Sequence, residues 1–317
     1  MKIVIAGGAG FLGRLLACDL GRHDDEVVVL SRRPSEVPGA RVVPWDGRTL
    51  RGWTAEVDGA DAVVNLAGRS VNCRYTAANL RQMMDSRVDS ARAVGTAIAR
   101  AARPPPVWLQ MSTATIYAHT FGPPNDEATG RIGGDEPGAP RKWNASVEIA
   151  RAWERALGDA PTPGTRKVAL RTAMVMGPQP GGVFPHFLRL TRLGLGGPIA
   201  GGRQYVSWIA DRDFVRAVLF LLARDDLAGP VNLAAPNPLP QRAFMEALRR
   251  AAGGSIGLPA TGWMAEVGAF LLRTETELLF KSRRVVPGRL LEAGFRFDLP
   301  TWPEAAEDLV ARTDAAG

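Results

Sequence analysis

The chain has 317 residues, 46% hydrophobic and 22% charged, enough to pack one large or two smaller domains. Its net charge of +7 rests on 39 Lys and Arg against 32 Asp and Glu, and all but four of the basic residues are Arg, scattered along the chain. Scatter excludes the basic stripe or tail of a nucleic-acid binder and suits individually placed phosphate contacts. The longest apolar run, Ala217 to Ala223, is too short to span a bilayer. Two cysteines, Cys18 and Cys73, with no C-x-x-C and no nearby His pair, argue for a reducing compartment and against a metal site. A first strand beginning at Lys2 leaves no room for a signal peptide, so a cytoplasmic protein with no nucleic-acid or membrane partner is expected. The glycosylation-like Asn144-Ala145-Ser146 then has no function.

From the N-terminus, short apolar runs alternate with segments of helical period. The runs are Lys2 to Ala6, Glu26 to Leu30, Arg41 to Pro44, Asp61 to Asn65, Val107 to Ser112 and Lys167 to Thr172. Between the fourth and fifth, Leu80, Met84, Val88, Ala91 and Ile98 fall on one face of a helix that Pro104-Pro105-Pro106 terminates. This order predicts an α/β fold, a Rossmann-type doubly wound parallel sheet covered on both faces. Beyond about residue 175 the alternation loosens into Gly-Pro-rich loops, and a smaller lobe is expected over 176–317. Within it, Gln204 to Ile209 reads as a strand, Asp213 to Ala223 as a helix and Pro230 to Ala234 as a strand returning to the sheet, so a segment of about 204–234 belongs with the domain of residues 1–175. The stretch from about 257 to 317 reads as mostly helical, with a turn over Gly294 to Pro300.

Residues 7 to 13, Gly-Gly-Ala-Gly-Phe-Leu-Gly, follow the first strand directly and open a helix through Leu15, Leu16 and Leu20. Glycines there permit a tight turn, close approach of a pyrophosphate and close helix packing, while the helix N-terminus offers free N–H groups to phosphate. The run fits two registers, Gly8-Gly10-Gly13 and Gly7-Gly10-Gly13, and Gly7, Gly10, Phe11, Leu12 and Gly13 are the expected dinucleotide contacts. Where an NAD site places an acid on the ribose, the second strand ends Leu30-Ser31-Arg32-Arg33. A guanidinium pairs with a 2′-phosphate, so the expected cofactor is NADP, with Ser31, Arg32 and Arg33 as its determinants. The fourth strand runs into Asn65-Leu66-Ala67-Gly68, and Leu66, Ala67 and Gly68 are expected to line the cofactor at the carboxyl edge of the sheet.

These features, with Ser112-Thr113 after the fifth strand, resemble the extended short-chain dehydrogenases/reductases of the sugar-nucleotide epimerase type. Asp85-Ser-Arg-Val88, Ala152-Trp-Glu154, Gly194-Leu-Gly-Gly197, Gly202 to Ile209, Asn232-Leu-Ala-Ala-Pro236 and Arg284-Val-Val-Pro-Gly-Arg-Leu290 resemble one atypical branch, epimerase-like NADP-dependent proteins with a short C-terminal domain of unknown function. The superfamily moves protons with a Tyr and a Lys four residues later. Here Tyr75, Tyr117 and Tyr205 are followed at that spacing by Asn79, Phe121 and Ile209, and the resemblance implies that Ser146 and Ala150 occupy the two positions.

Three readings follow. In the first, an NADP-dependent oxidoreductase or epimerase acts on a small-molecule substrate with another group handling the proton: Ser112, Thr113, Tyr117, His119 or Glu148. In the second, NADP(H) is bound without turnover, as in a redox sensor or regulatory protein. The third is a lyase or isomerase retaining a transiently reduced dinucleotide. Arg171, His186, Arg203 and Trp208 are the residues expected to face a substrate. Analogy with the superfamily implies a homodimer through sheet-covering helices.

Overall fold

A continuous β-branched run such as Glu26-Val-Val-Val-Leu-Ser31 has no polar face, so it is stable only where both faces of its strand are covered. The computed structural model, which describes all residues but 24, 137–139, 263–276 and 317, puts it in that setting. Seven strands, β1 (Lys2–Ala6), β2 (Glu26–Ser31), β3 (Arg41–Pro44), β4 (Ala62–Asn65), β5 (Val107–Thr113), β6 (Arg166–Thr172) and a later strand over Gly229–Leu233, form one sheet. Their order is β3-β2-β1-β4-β5-β6 and then Gly229–Leu233, every pair parallel. The order reverses between β1 and β4, which opens a crevice at their carboxyl ends.

Helix α1 (Phe11–Leu20) buries Leu16, Ala17 and Leu20 against the sheet. Helix α2 (Ala77–Arg100) starts at Thr76, whose side chain accepts from the Asn79 N–H at 3.2 Å, and α3 (Arg141–Gly158) packs beside it. The buried stripe of α2 is not the one the apolar periodicity marks. Met83, Arg87, Ser90, Val94 and Ala97 face inward with Ala91 and Ile98, while Leu80, Met84 and Val88 are half-buried. A polar pair, Arg87 and Ser90, occupies core positions that periodicity reserves for apolar residues.

Past β6 the chain forms β7 (Met174–Met176), α4 (Phe184–Arg192), β8 (Tyr205–Val206), β9 (Trp208–Ala210), α5 (Asp211–Leu222), β10 (Gly229–Leu233), β11 (Leu239–Pro240) and α6 (Gln241–Ala251). The expected strand over Gln204 to Ile209 is therefore two short ones, β8 pairing with β11 and β9 with β7, outside the main sheet. Ser207 breaks the run because its hydroxyl is drawn to the backbone of Arg283 and Val285. Strand β10 does return to the main sheet, parallel to β6. The described C-terminal elements are helical, α7 (Glu277–Phe280), α8 (Gly288–Glu292) and α9 (Trp302–Asp314). Part of the helical stretch expected from residue 257 falls on 263–276, outside the described residues.

A second core unites these pieces, Trp302 stacking on Phe244 at 3.9 Å and meeting Trp208 at 5.1 Å. The segment Arg284 to Arg289 is laced back to the first domain: Glu127 accepts from the Asn232 and Arg289 N–H groups, and Asn232 Nδ2 donates to the Val286 carbonyl. No helix among the described residues is long and apolar enough to cross a membrane.

Candidate functional site

The crevice encloses about 1220 Å³ and runs from the β2–β3 edge to the face of α3. Gly7, Gly10 and Gly13 line it, so of the two glycine registers the crevice takes the one beginning at Gly7. Gly7 has φ +75° and approaches Ala67 so closely that a Cβ would sit 2.8 Å from the Ala67 Cα. Gly13 packs helix on turn, a Cβ there falling 2.3 Å from the Gly8 Cα. Gly10 is different: an added Cβ meets only the Gly7 carbonyl, at 3.5 Å, and otherwise enters open space. Gly10 is also the N-cap of α1, with no side-chain cap, so the helix presents its first N–H groups to the crevice. An uncapped N-terminus beside a glycine that leaves room is a fit for a pyrophosphate.

Phe11, Leu12, Leu66, Ala67 and Gly68 also line the crevice. The Phe11 ring is held by the 177–182 loop, its Cζ within 2.9 Å of where a Gly182 Cβ would stand. Asn65 shapes the opposite turn, accepting from the Ala67 N–H at 3.0 Å and donating to Gln110 at 3.0 Å. At the outer end, Ser31, Arg32 and Arg33 line the wall with both guanidinium groups exposed. The Ser31 hydroxyl donates to the Arg33 carbonyl at 2.9 Å, so it folds the arginine turn. Facing them stands a segment the sequence did not flag, Trp45 to Arg48, pinned by Asp46, whose carboxylate takes the Thr49 hydroxyl and the N–H groups of Thr49 and Arg48. Those bonds hold its pKa down to about 2.

Ser112 and Thr113 line the inner end. Ser112 is 2% exposed and donates to Glu154 Oε1 at 2.6 Å. Glu154 in turn receives Arg171 in a two-pronged pair, both contacts 2.9 Å, and Arg171 Nη1 donates to the Tyr117 hydroxyl at 3.0 Å. Tyr117 completes the chain by donating to Asn232 Oδ1 at 2.9 Å. This buried network ties β5, α3, β6 and β10 together behind the crevice. Burial raises the Tyr117 pKa.

Tyr117 is thus removed as a crevice group, since its hydroxyl is spent on structure and its side chain does not line the cavity. His119 goes with it: its Nδ1 accepts from the Ser282 N–H at 2.8 Å, its ring packs on Phe121 and Trp143, and burial lowers its pKa. Glu148 lies on the exposed face of α3. Of the residues expected to face a substrate none lines the crevice: Arg171 is in the network, Trp208 is core, and His186 and Arg203 are exposed.

What the crevice gathers instead is Tyr75, Arg87, Ser146, Trp153 and Arg283. Ser146 lines the wall, whereas Ala150, one turn on, is fully buried in a small apolar cluster. Tyr75, the residue just before the α2 N-cap, lines the same wall as Ser146. Burial pushes the phenol up to about 12 and Glu277 adds to the push, while Ser146 and Arg283 oppose it. Ser146 also donates to Glu277, which faces Lys281 and Arg283, each at 3.7 Å. Thr115 anchors both cations, its carbonyl accepting from Lys281 at 3.0 Å and its hydroxyl from Arg283 at 3.1 Å.

A model of the NAD dependent epimerase/dehydratase family matches residues 3–234 of this sequence. The chain belongs to that family. A domain of unknown function (DUF1731) matches residues 260–309. The chain is 31% identical to the epimerase family protein SDR39U1 of Bos taurus over 98% of its own length and 100% of the relative's, and 31% identical to the epimerase family protein ML0860 of Mycobacterium leprae over 96% and 94%. Among solved structures it is similar to human epimerase family protein SDR39U1 (isoform2) with NADPH, at 27% identity and a TM-score of 0.84, covering 98% of this chain and 99% of that one. The UDP-N-acetylglucosamine 4-epimerase of Methanobrevibacter ruminantium M1, 16% identical with a TM-score of 0.72 over 100% and 99%, shares the fold.

Proposed function

We propose that this chain is an NADP(H)-dependent oxidoreductase of a small-molecule substrate in which Tyr75, from the entry to α2, supplies the hydroxyl that its relatives in the superfamily carry on α3. The dinucleotide lies across Gly7, Gly10, Gly13 and the turn Leu66-Ala67-Gly68, with the α1 N-terminus on the pyrophosphate and Arg32 and Arg33 on the 2′-phosphate. The NADPH held by the human structural neighbour supports that cofactor. When bound, the nicotinamide supplies or accepts hydride.

One observation supports the proton half of the reading: Tyr75 and Ser146 line the same wall of the crevice, and the resemblance implies that Ser146 stands where the superfamily carries its tyrosine. A phenol pushed up to about 12 is fully protonated at neutral pH and has a proton to give to a carbonyl oxygen in the reducing direction, although burial makes it a weaker acid than a free phenol. Arg283, beside it, favours the phenolate left behind. A reducing, cytoplasmic setting belongs to the same proposal, as Cys18 and Cys73 are unpaired.

The test is deuterium transfer. Wild-type protein given NADPH deuterated at nicotinamide C4 and a small-molecule extract should label a carbonyl-derived product, detected by mass spectrometry, and Tyr75→Phe should lose that label. A protein that binds NADPH and labels nothing would favour binding without turnover.

A further inference from the structure

Arg87 is a cation in the wrong place for stability. It stands on the inward face of α2, 9% exposed, and lines the crevice. One guanidinium N–H goes to the Met83 carbonyl at 3.1 Å and the plane lies over the Trp153 ring at 4.9 Å. Among the described residues it forms no ion pair. Burial drags its pKa down to about 10, with only Tyr75 and Cys73 opposing. A buried charge without an ion partner is costly as a rule, and a fold that keeps one in a crevice wall has a use for it there.

The surroundings narrow the anion's position. Arg87 abuts Gly68, whose added Cβ would stand 3.3 Å from its Cζ, and shares the inner end of the crevice with Tyr75, Ser146 and Arg283. Arg283 Nη2, buried and 3.7 Å from Glu277 Oε1, makes no hydrogen bond of its own. Glu277 faces both Lys281 and Arg283, and Lys281 also feels Glu136, whose carboxylate is taken up by the N–H groups of His119 and Gly134. Carboxylates therefore meet Lys281 and Arg283, and among the described residues none pairs with Arg87. The phosphates of a dinucleotide have their own fittings at the α1 N-terminus and at Arg32 and Arg33.

We infer that Arg87, helped by Arg283, is the socket for an anionic group of the substrate, a carboxylate or a phosphate, placed beside Tyr75. The inference rests on the oxidoreductase reading for the word substrate, but the socket is tested without turnover. Such a substrate carries its anion within a few bonds of the carbonyl that Tyr75 serves.

The probes are oxalate and inorganic phosphate, with acetamide as the neutral control, titrated calorimetrically into full-length protein with and without saturating NADP. With NADP saturating, so that the phosphate fittings of the cofactor are filled, wild type should take up one equivalent of oxalate or phosphate and ignore acetamide. Arg87→Met should weaken that uptake at least about tenfold, Arg87→Lys should restore part of it, and NADP affinity should stay within about twofold. Thermal unfolding of the ligand-free Arg87→Met protein should occur at higher temperature than wild type, because a buried unpaired charge has gone. Anion binding equal in wild type and Arg87→Met, no anion binding by wild type, or a variant that unfolds early would overturn the assignment. A tenfold loss of NADP affinity in Arg87→Met would overturn it too, giving the guanidinium to the cofactor's pyrophosphate. Failure of wild type to bind NADP, with anion uptake intact, would instead sink the oxidoreductase reading alone.

Discussion

Tyr75 on the approach to α2 and Ser146 on α3 line one wall of the crevice, so the two elements bring their hydroxyl groups to the same side of the cavity. Removing that phenol should separate chemistry from binding. Tyr75→Phe is expected to lower hydride transfer by about a hundred- to ten-thousand-fold while NADPH affinity is unchanged, as general acid help is of that size. Tyr117→Phe should leave transfer intact and lower stability by about 1–3 kcal/mol, because the Arg171 and Asn232 side chains lose their partner. Rapid-mixing kinetics and urea unfolding on both variants decide it; the opposite pattern would return Tyr117 to the reaction.

The three crevice glycines should fail in different ways. Gly13→Ala forces a Cβ to 2.3 Å from the Gly8 Cα, a backbone atom that cannot swing away, and should destabilise the fold by about 1–3 kcal/mol. Gly10→Ala meets nothing nearer than 3.5 Å, so stability should hold within about 1 kcal/mol while NADPH affinity falls. Thermal unfolding and NADPH titration of the two side by side would show it. Equal stability losses would mean that Gly10 serves the fold and not a ligand.

The Lys281 ammonium has a pH signature. Burial pulls its pKa down to about 8 although Glu277 opposes this, whereas in the unfolded chain it keeps a value near 10.5. Between the two the unfolded state binds more protons, so this group makes stability rise with pH from about 8 to about 10, by at most about 1.4 kcal/mol per unit. Urea unfolding across that range should show a slope in wild type that Lys281→Met lacks. Parallel curves would mean that the ammonium is solvated.

The parallel sheet was legible because its strands are unbroken apolar runs, and the glycine turn because Gly7 and Gly13 are demanded by backbone contacts that hold in any sequence with this turn. Ser31-Arg32-Arg33 was legible from its place at the end of β2. The inner end of the crevice was not. Tyr75 precedes a helix cap, Arg87 occupies an α2 position that reads as one of many solvated arginines, and Arg283 comes from a segment 208 residues after Tyr75; only the fold brings them to one wall. A signal for Arg87 was present in the apolar stripe of α2, which leaves Arg87 and Ser90 as the polar breaks in its buried face. Tyr117 and Arg171 misled for the converse reason: polar residues at or just past a strand end near a crevice can pair with each other behind it, as these two do at 3.0 Å.

Cofactor choice tests the central claim most directly. Arg32 and Arg33 stand exposed at the outer wall, where β2 ends Leu30-Ser31 with no acid at the strand end to receive a ribose hydroxyl. A charge-assisted hydrogen bond of about 1.5–3 kcal/mol corresponds to roughly a ten- to hundredfold preference. Fluorescence titration of wild type with NADPH and NADH, at fixed salt because exposed charges are screened, should show NADPH bound about ten- to a hundredfold tighter, with Arg32→Ala and Arg33→Ala losing affinity for NADPH and keeping that for NADH. Equal wild-type affinities, or equal losses for both nucleotides on mutation, would contradict it.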